Sequence, residues 1–278
     1  MMKMNDRFVS LEKERRIYIL LYFSGLLLEL AGLWGLLRGQ RPAGISVALF
    51  GLFVWCSGAV WGKKRYLLHC SRIIASDGLH IMGAAFPDRK NADAMFPMDA
   101  FIPPVMKAGK PLHMYPVCGY MDSIPVFVSE CTLPFYLPDS PKNIRHLVGT
   151  LIAADSPACS DITVFCGQPL GGNAHREDFS SWHPVPFQDH KFHIFCRNSS
   201  DNISIEGNPA AVLEELCSIT EHGAIVACTS EKTALFLPLR FYSGHFALND
   251  PLKPESLDSY SFPEFELFSK LISFIQVN

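Results

Sequence analysis

The chain has 278 residues, of which 49% are hydrophobic and only 18% charged, and its formal net charge is −3. That charged fraction lies below the ~25% of an ordinary soluble domain and the mean hydropathy is positive, +0.16, so part of the chain is expected in a membrane. Nine cysteines, an odd number, exclude a small disulfide scaffold, and abundant apolar and aromatic residues exclude disorder.

Near the N-terminus, Ile17 to Leu37 reads IYILLYFSGLLLELAGLWGLL, 21 residues with Glu29 as the one charge, and Ala43 to Gly62 reads AGISVALFGLFVWCSGAVWG, 20 residues with none. At ~1.5 Å per residue each helix matches the ~30 Å hydrocarbon core of a bilayer. The connection Arg38-Gly39-Gln40-Arg41-Pro42 is short enough to make the helices antiparallel neighbours, a transmembrane hairpin. A cleaved signal peptide would have an apolar stretch of only ~7–15 residues ending at small residues, which neither run resembles. Lys3, Arg7, Lys13, Arg15 and Arg16 precede the first run and Lys63, Lys64, Arg65 and Arg72 follow the second, against Arg38 and Arg41 in the turn. Basic residues stay on the cytoplasmic side. The expectation is a multi-pass protein of a bacterial inner membrane with both termini in the cytoplasm.

Gly25, Gly32 and Gly39 recur every seven residues, as do Gly44, Gly51 and Gly58. Small residues allow close helix approach in lipid, and a period of seven suits a left-handed crossing. The simplest antiparallel register sets Gly25 against Gly58, Gly32 against Gly51 and Gly39 against Gly44. Glu29 falls on the same seam, where a charge costs roughly 2.5–3.5 kcal/mol on insertion scales. It is expected to hold its proton or to hydrogen-bond across to Trp55 or Ser57. A relay of protons or ions is one reading of it; a polar clamp between helices, within or between protomers, is the one that a single carboxyl favours.

The first 62 residues hold seven Lys/Arg and four Asp/Glu, which leaves 17 basic and 23 acidic residues beyond them. An acidic portion is a poor partner for nucleic acid. The basic strips Arg15-Arg16 and Lys63-Lys64-Arg65 read as membrane-edge anchors. Residues 1–16 form a basic N-terminal segment, 17–62 the hairpin, 63–110 a juxtamembrane stem and irregular connection, and 111–278 a cytoplasmic domain.

Within that domain, Leu112 to Tyr120 and Ile124 to Leu133 read as a hairpin of strands. Ser140-Pro141 gives a helix start, with Ile144, Leu147, Val148, Leu151 and Ile152 on one face. Asp161 to Gly167 and His190 to Cys196 read as strands around a long polar loop that holds Gly171, Gly172 and Trp182. Asn208-Pro209 starts a second helix, closed near Gly223. Ala224 to Cys228 and Thr233 to Leu239 form another hairpin. Ser261 to Val277 is a terminal helix with Phe268, Leu271, Ile272 and Ile275 on one face. The sum is an α+β domain with a mainly antiparallel sheet.

The sequence has no G-x-S-x-G elbow, phosphate loop, dinucleotide fingerprint or H-E-x-x-H motif. His175, His183, His190, His193 and Cys196 are its densest set of metal-capable residues. His190, His193 and Cys196 are the candidate zinc ligands, yet strand alternation sends His193 to the face opposite both of the others, so ordinary surface histidines are expected. Cys118, Cys131, Cys166, Cys196 and Cys228 lie in apolar strand runs and read as reduced core residues. No cofactor is expected and no catalytic residue is assigned.

The hairpin followed by Gly119-Tyr120, Val126-Phe127-Val128-Ser129-Glu130, Val164-Phe165-Cys166-Gly167, Lys191-Phe192-His193-Ile194-Phe195 and the closing strands from Ala224 to Leu239 resembles an uncharacterised bacterial membrane-protein family, the domain of unknown function three-one-three-seven. The likeness runs from about Gly119 to Leu239 plus the membrane architecture, and departs at Ile203 to Pro209. It carries no enzyme activity with it and implies, by genomic neighbourhood, a partner of the LemA type. The reading is a membrane-anchored domain that binds another membrane or cytoplasmic protein, with homo-oligomerisation through the hairpin. A membrane-tethered enzyme with a site assembled from scattered His, Cys and carboxylate residues is the alternative. Transport by the hairpin would need several copies, since two helices enclose no pore.

Overall fold

The structure, a computed structural model, describes residues 4–73, 75, 81–87, 91–92, 95, 101–102, 108–121, 123–137, 140–155, 161–167, 182–185, 192–196, 208–220, 223–229, 231–240, 246, 248, 252 and 266–270. The chain forms two compact units, Met1–Asp77 with Tyr242–Tyr260, and Gly78–Phe241 with Ser261–Asn278.

The first unit is helical. Helix α1 (Met4–Leu37) runs 34 residues without a break, about 51 Å at 1.5 Å per residue, so the charged stretch before Ile17 continues the apolar helix by several turns. Gly39 ends it: its φ of +82° is a left-handed conformation that a side chain resists, and the N–H groups of Gly39 and Gln40 close back onto Leu36 and Gly35. Helix α2 (Arg41–Cys56) then begins with Pro42 in its first turn, where a missing N–H costs nothing. A π-helical segment (Ser57–Gly62) joins α2 to α3 (Lys63–Ile73). The runs Val9–Leu37 and Arg41–Ile73 are each long and apolar enough to cross a membrane.

The second unit is α+β, built on one nine-stranded sheet in the order β1-β2-β3-β4-β9-β8-β5-β7-β6, every pairing antiparallel. The strands are β1 (Met82–Ala85), β2 (Leu112–Met121), β3 (Ile124–Leu137), β4 (Ser140–Asp155), β5 (Ile162–Cys166), β6 (His183–Val185), β7 (Phe192–Cys196), β8 (Ala224–Cys228) and β9 (Lys232–Leu237). Helix α4 (Asn208–Ile219) packs against β5, and Gly223 follows it at φ +77°. The β8–β9 hairpin inserts between β5 and β4, and so splices the two halves of the sheet.

Both faces of the sheet centre are buried. Phe127, Leu133, Phe135, Leu151, Phe165, Phe195 and Phe236 share one cluster with Trp182, Phe101 and Ile102. In-register neighbours on the other face, Val128, Ile152, Leu235, Val226, Val164 and Ile194, are equally buried.

The helix expected from Ser140 is overturned. Those residues form β4, paired with β3 from Val126↔Ala154 to Tyr136↔Ile144 and with β9 from Thr150↔Leu237 to Asp155↔Lys232. Leu147 and Leu151 fall on one face, Val148 and Ile152 on the other, so the apparent helical stripe was the run of a strand buried on both sides. Strands β1 and β6 arise in stretches that read as irregular. Of the expected terminal helix, 266–270 is helical with Leu267 and Phe268 buried; Leu271, Ile272 and Ile275 lie outside the described residues, as do Gly171 and Gly172.

Candidate functional site

Along α1 and α2 the close approaches run through glycine. A methyl group added at Gly51 would stand 2.9 Å from the Gly25 carbonyl oxygen and from the Leu28 carbonyl carbon. At Gly44 it would be 2.8 Å from Gly32 O and Leu36 N, and at Gly58 2.6 Å from Tyr22 N. Gly25 receives the Trp55 backbone and Gly32 that of Ala48. The expected glycine-to-glycine register is therefore displaced by three residues: Gly25 meets Trp55, Gly32 meets Ala48 and Gly58 meets Tyr22, while Gly44 and Gly51 also touch the carbonyls of Gly32 and Gly25. Most of the contacts are with backbone atoms, so the glycines let the two helices approach backbone to backbone. Gly39 has nothing within 4 Å of such a methyl group and belongs to the turn alone. Trp55 packs on Tyr22 with ring centroids 6.0 Å apart. Ser57 donates to the Phe53 carbonyl of its own helix at 2.8 Å. Glu29 is half-buried and hydrogen-bonds to no described residue, so neither expected partner holds it.

At the far end of the first unit lies a polar knot. Glu12 takes both prongs of the Arg15 guanidinium, 2.7 and 2.8 Å, and a further bond from Arg16 Nε at 2.9 Å. Arg15 also donates to the Leu248 carbonyl at 2.9 Å, and the Leu252 N–H donates to Glu12 at 3.1 Å. One Arg–carboxylate fork thus pins a segment more than two hundred residues away in sequence onto α1. Glu14 accepts from Tyr18 Oη at 2.9 Å, lies 2.7 Å from His69 Nδ1, and has Arg65 Nε at 3.8 Å. Arg15, read from the sequence as part of a membrane-edge strip, is buried. Arg16 and Arg65 stay exposed.

In the second unit, His193 and Cys196 point to opposite faces of β7, His193 exposed and Cys196 buried. The register sets Cys196 opposite His183 instead, while His175 and His190 lie outside the described residues. Among the described residues no three His, Cys, Asp or Glu side chains converge as a metal site requires. Cys131, Cys166, Cys196 and Cys228 are buried and Cys118 half-buried. Burial, with the neighbouring Glu130 charge, raises the Cys131 thiol far above its ordinary value. Contact with the Cys217 thiol, followed by burial, raises Cys166. Sequence reasoning missed the buried polar residues of β2 and β3. Ser129 Oγ lies 3.3 Å from His113 Nδ1 and 3.1 Å from the Met114 carbonyl, and Glu130 is fully buried. They sit inside an ordinary alternating strand and carry no motif.

No protein-family model and no curated protein matches the chain. Among solved structures it is similar to the mycobacterial trehalose monomycolate transport factor A, with 10% identity over 59% of this chain and 74% of that one and a TM-score of 0.31.

Proposed function

We propose that this chain is a membrane-anchored scaffold. Helices α1 and α2 cross a bacterial inner membrane as a hairpin with both termini in the cytoplasm, and the α+β unit binds another protein there. The observation that carries the reading is the surface of the helical pair. Leu20, Leu27, Leu30, Trp34, Leu49, Phe50, Phe53 and Trp61 are all exposed while the backbones between them are interlocked. A contiguous apolar surface of this extent is stable in lipid and not in water.

The partner half of the reading is supported by the sheet edge. Strand β1 is terminal, and its Met82 is exposed directly opposite exposed Tyr120. Among the described residues no strand pairs beyond β1, and an edge of this kind with apolar side chains is a template for strand addition by another chain. A LemA-type membrane protein is the partner that the sequence resemblance suggests.

Two measurements test this. The full chain should resist carbonate extraction, and Gly39→Cys should react with an impermeant maleimide in intact spheroplasts while Cys118 does not. A photo-crosslinking residue at Met82 should capture a protein that the same probe at Ile144 does not. Carbonate release, labelling of Cys118 from outside, or capture of nothing but lipid would refute the reading.

A further inference from the structure

Two stripes with alternating steps of three and four residues run down α1. Leu20, Phe23, Leu27, Leu30, Trp34 and Leu37 are wholly apolar and each at least 55% exposed, the pattern of a lipid-facing side. Ile19, Tyr22, Leu26, Glu29 and Leu33 make the second. It flanks α2, where Trp55 lies against Tyr22, and is less exposed, Leu26 at 37%. This second stripe has the a/d spacing of a left-handed helix pair, with Glu29 at its centre.

Glu29 stands two residues from the middle of the first apolar run, and neither run contains a Lys, Arg or His. The hydroxyls of Ser46 and Ser57 are committed to the Pro42 and Phe53 carbonyls. No described residue supplies a hydrogen bond to the Glu29 carboxyl. A group of this polarity in hydrocarbon requires a partner at its own depth. A second copy inserted in the same orientation brings one there by symmetry, because its α1 runs parallel and its Glu29 lies at the same level. A carboxylic acid has both donor and acceptor oxygens, so the contact is self-complementary, as a twofold interface demands.

Resting on the membrane reading above, we infer that two copies of this chain pair in the bilayer through the α1 stripe Ile19, Tyr22, Leu26, Glu29 and Leu33, with the Glu29 carboxyl groups meeting at the twofold axis. Free lipid then covers the Leu20–Leu37 stripe of α1 together with the exposed side of α2 at Leu49, Phe50 and Phe53.

The test uses the full chain in liposomes of phosphatidylethanolamine and phosphatidylglycerol at rising dilution, with dimers counted by single-molecule photobleaching. Wild type should form dimers. Glu29→Leu should weaken association about tenfold, the size of one interhelical hydrogen bond in a membrane, and Glu29→Gln should retain it. In a Cys56→Ser background, Leu33→Cys should form an intermolecular disulfide on oxidation and Leu27→Cys should not. A carbonate-resistant wild-type monomer, an undiminished Glu29→Leu dimer, or preferential crosslinking at Leu27→Cys would overturn the pairing alone. Release of wild type by carbonate would overturn the membrane reading together with it.

Discussion

Replacing Gly51 with alanine tests how the hairpin is held. The added methyl group would stand 2.9 Å from Gly25 O and Leu28 C and 2.5 Å from Glu29 N, against an ordinary contact of 3.4–4 Å. All three atoms belong to the α1 backbone, so no rotamer change relieves the clash and the helices must part by about 0.5–1 Å. A gap of that size forfeits a quarter to a half of each dispersion contact along the seam. Overpacking of this kind costs about 1–3 kcal/mol, and the better helix propensity of alanine returns up to about 1 kcal/mol. The net loss of about 1–2 kcal/mol lowers the folded-to-unfolded ratio roughly five- to thirtyfold. Steric-trap unfolding in bicelles, read by Trp fluorescence, measures it. Gly35→Ala is the control, because its methyl group would lie 3.4 Å from Gly44 Cα, an ordinary contact. If Gly51→Ala is no less stable than Gly35→Ala, the interlocked-backbone account of α1 and α2 is wrong.

In the sheet, Gly149→Ala would drive a methyl group into the Leu237 carbonyl oxygen and to 2.7 Å from Phe236 Cζ, so β4 and β9 should separate at a cost of at least about 2 kcal/mol, seen as a lower thermal midpoint for the full chain in detergent. Arg15→Ala should cost about 1–3 kcal/mol by the same scan by releasing Glu12 and the Leu248 carbonyl together, and Arg15→Lys should not rescue it, since an ammonium cannot reproduce the two-pronged bond. Thiolate, not thiol, reacts with maleimide. The upward displacement of Cys131 and Cys166 therefore leaves both unlabelled in the native chain from pH 7 to 9, while half-buried Cys118 is within reach of the reagent. Equal labelling of Cys131 and Cys118 before unfolding would refute the burial argument.

Much of this fold was legible because its signals were local. The β2–β3 and β8–β9 hairpins, the Asn208-Pro209 helix start and the closing Gly223 all depend on residues a few positions apart. β4 was not, because Ile144, Leu147, Val148, Leu151 and Ile152 satisfy a helical period and a doubly buried strand alike, and only the pairing with β3 and β9 separates them. β1, reading MGAA, has no β-branched residue, and its strand character comes wholly from β2. The glycine positions of the hairpin were visible at once, whereas their register, which seats Trp55, Leu36 and Tyr22 against them, is a property of the packed helices and not of glycine spacing. The knot of Glu12 and Arg15 with Leu248 and Leu252 joins residues too distant in sequence for any spacing rule to connect.

The π-helical segment Ser57–Gly62 has a mechanical consequence. A wide turn accommodates one residue more than the α-helix on either side, so it acts as a phase adjuster between α2 and α3. Winding the same residues as α-helix would rotate everything downstream by about 100° and push it forward by about 1.5 Å. His69 and Arg65 would swing off the azimuth on which they meet Glu14, although every residue of that cluster was left intact. The wide turn is thus as much a part of that cluster as its side chains, and a change that winds Ser57–Gly62 as α-helix should be as damaging as the loss of the carboxylate itself.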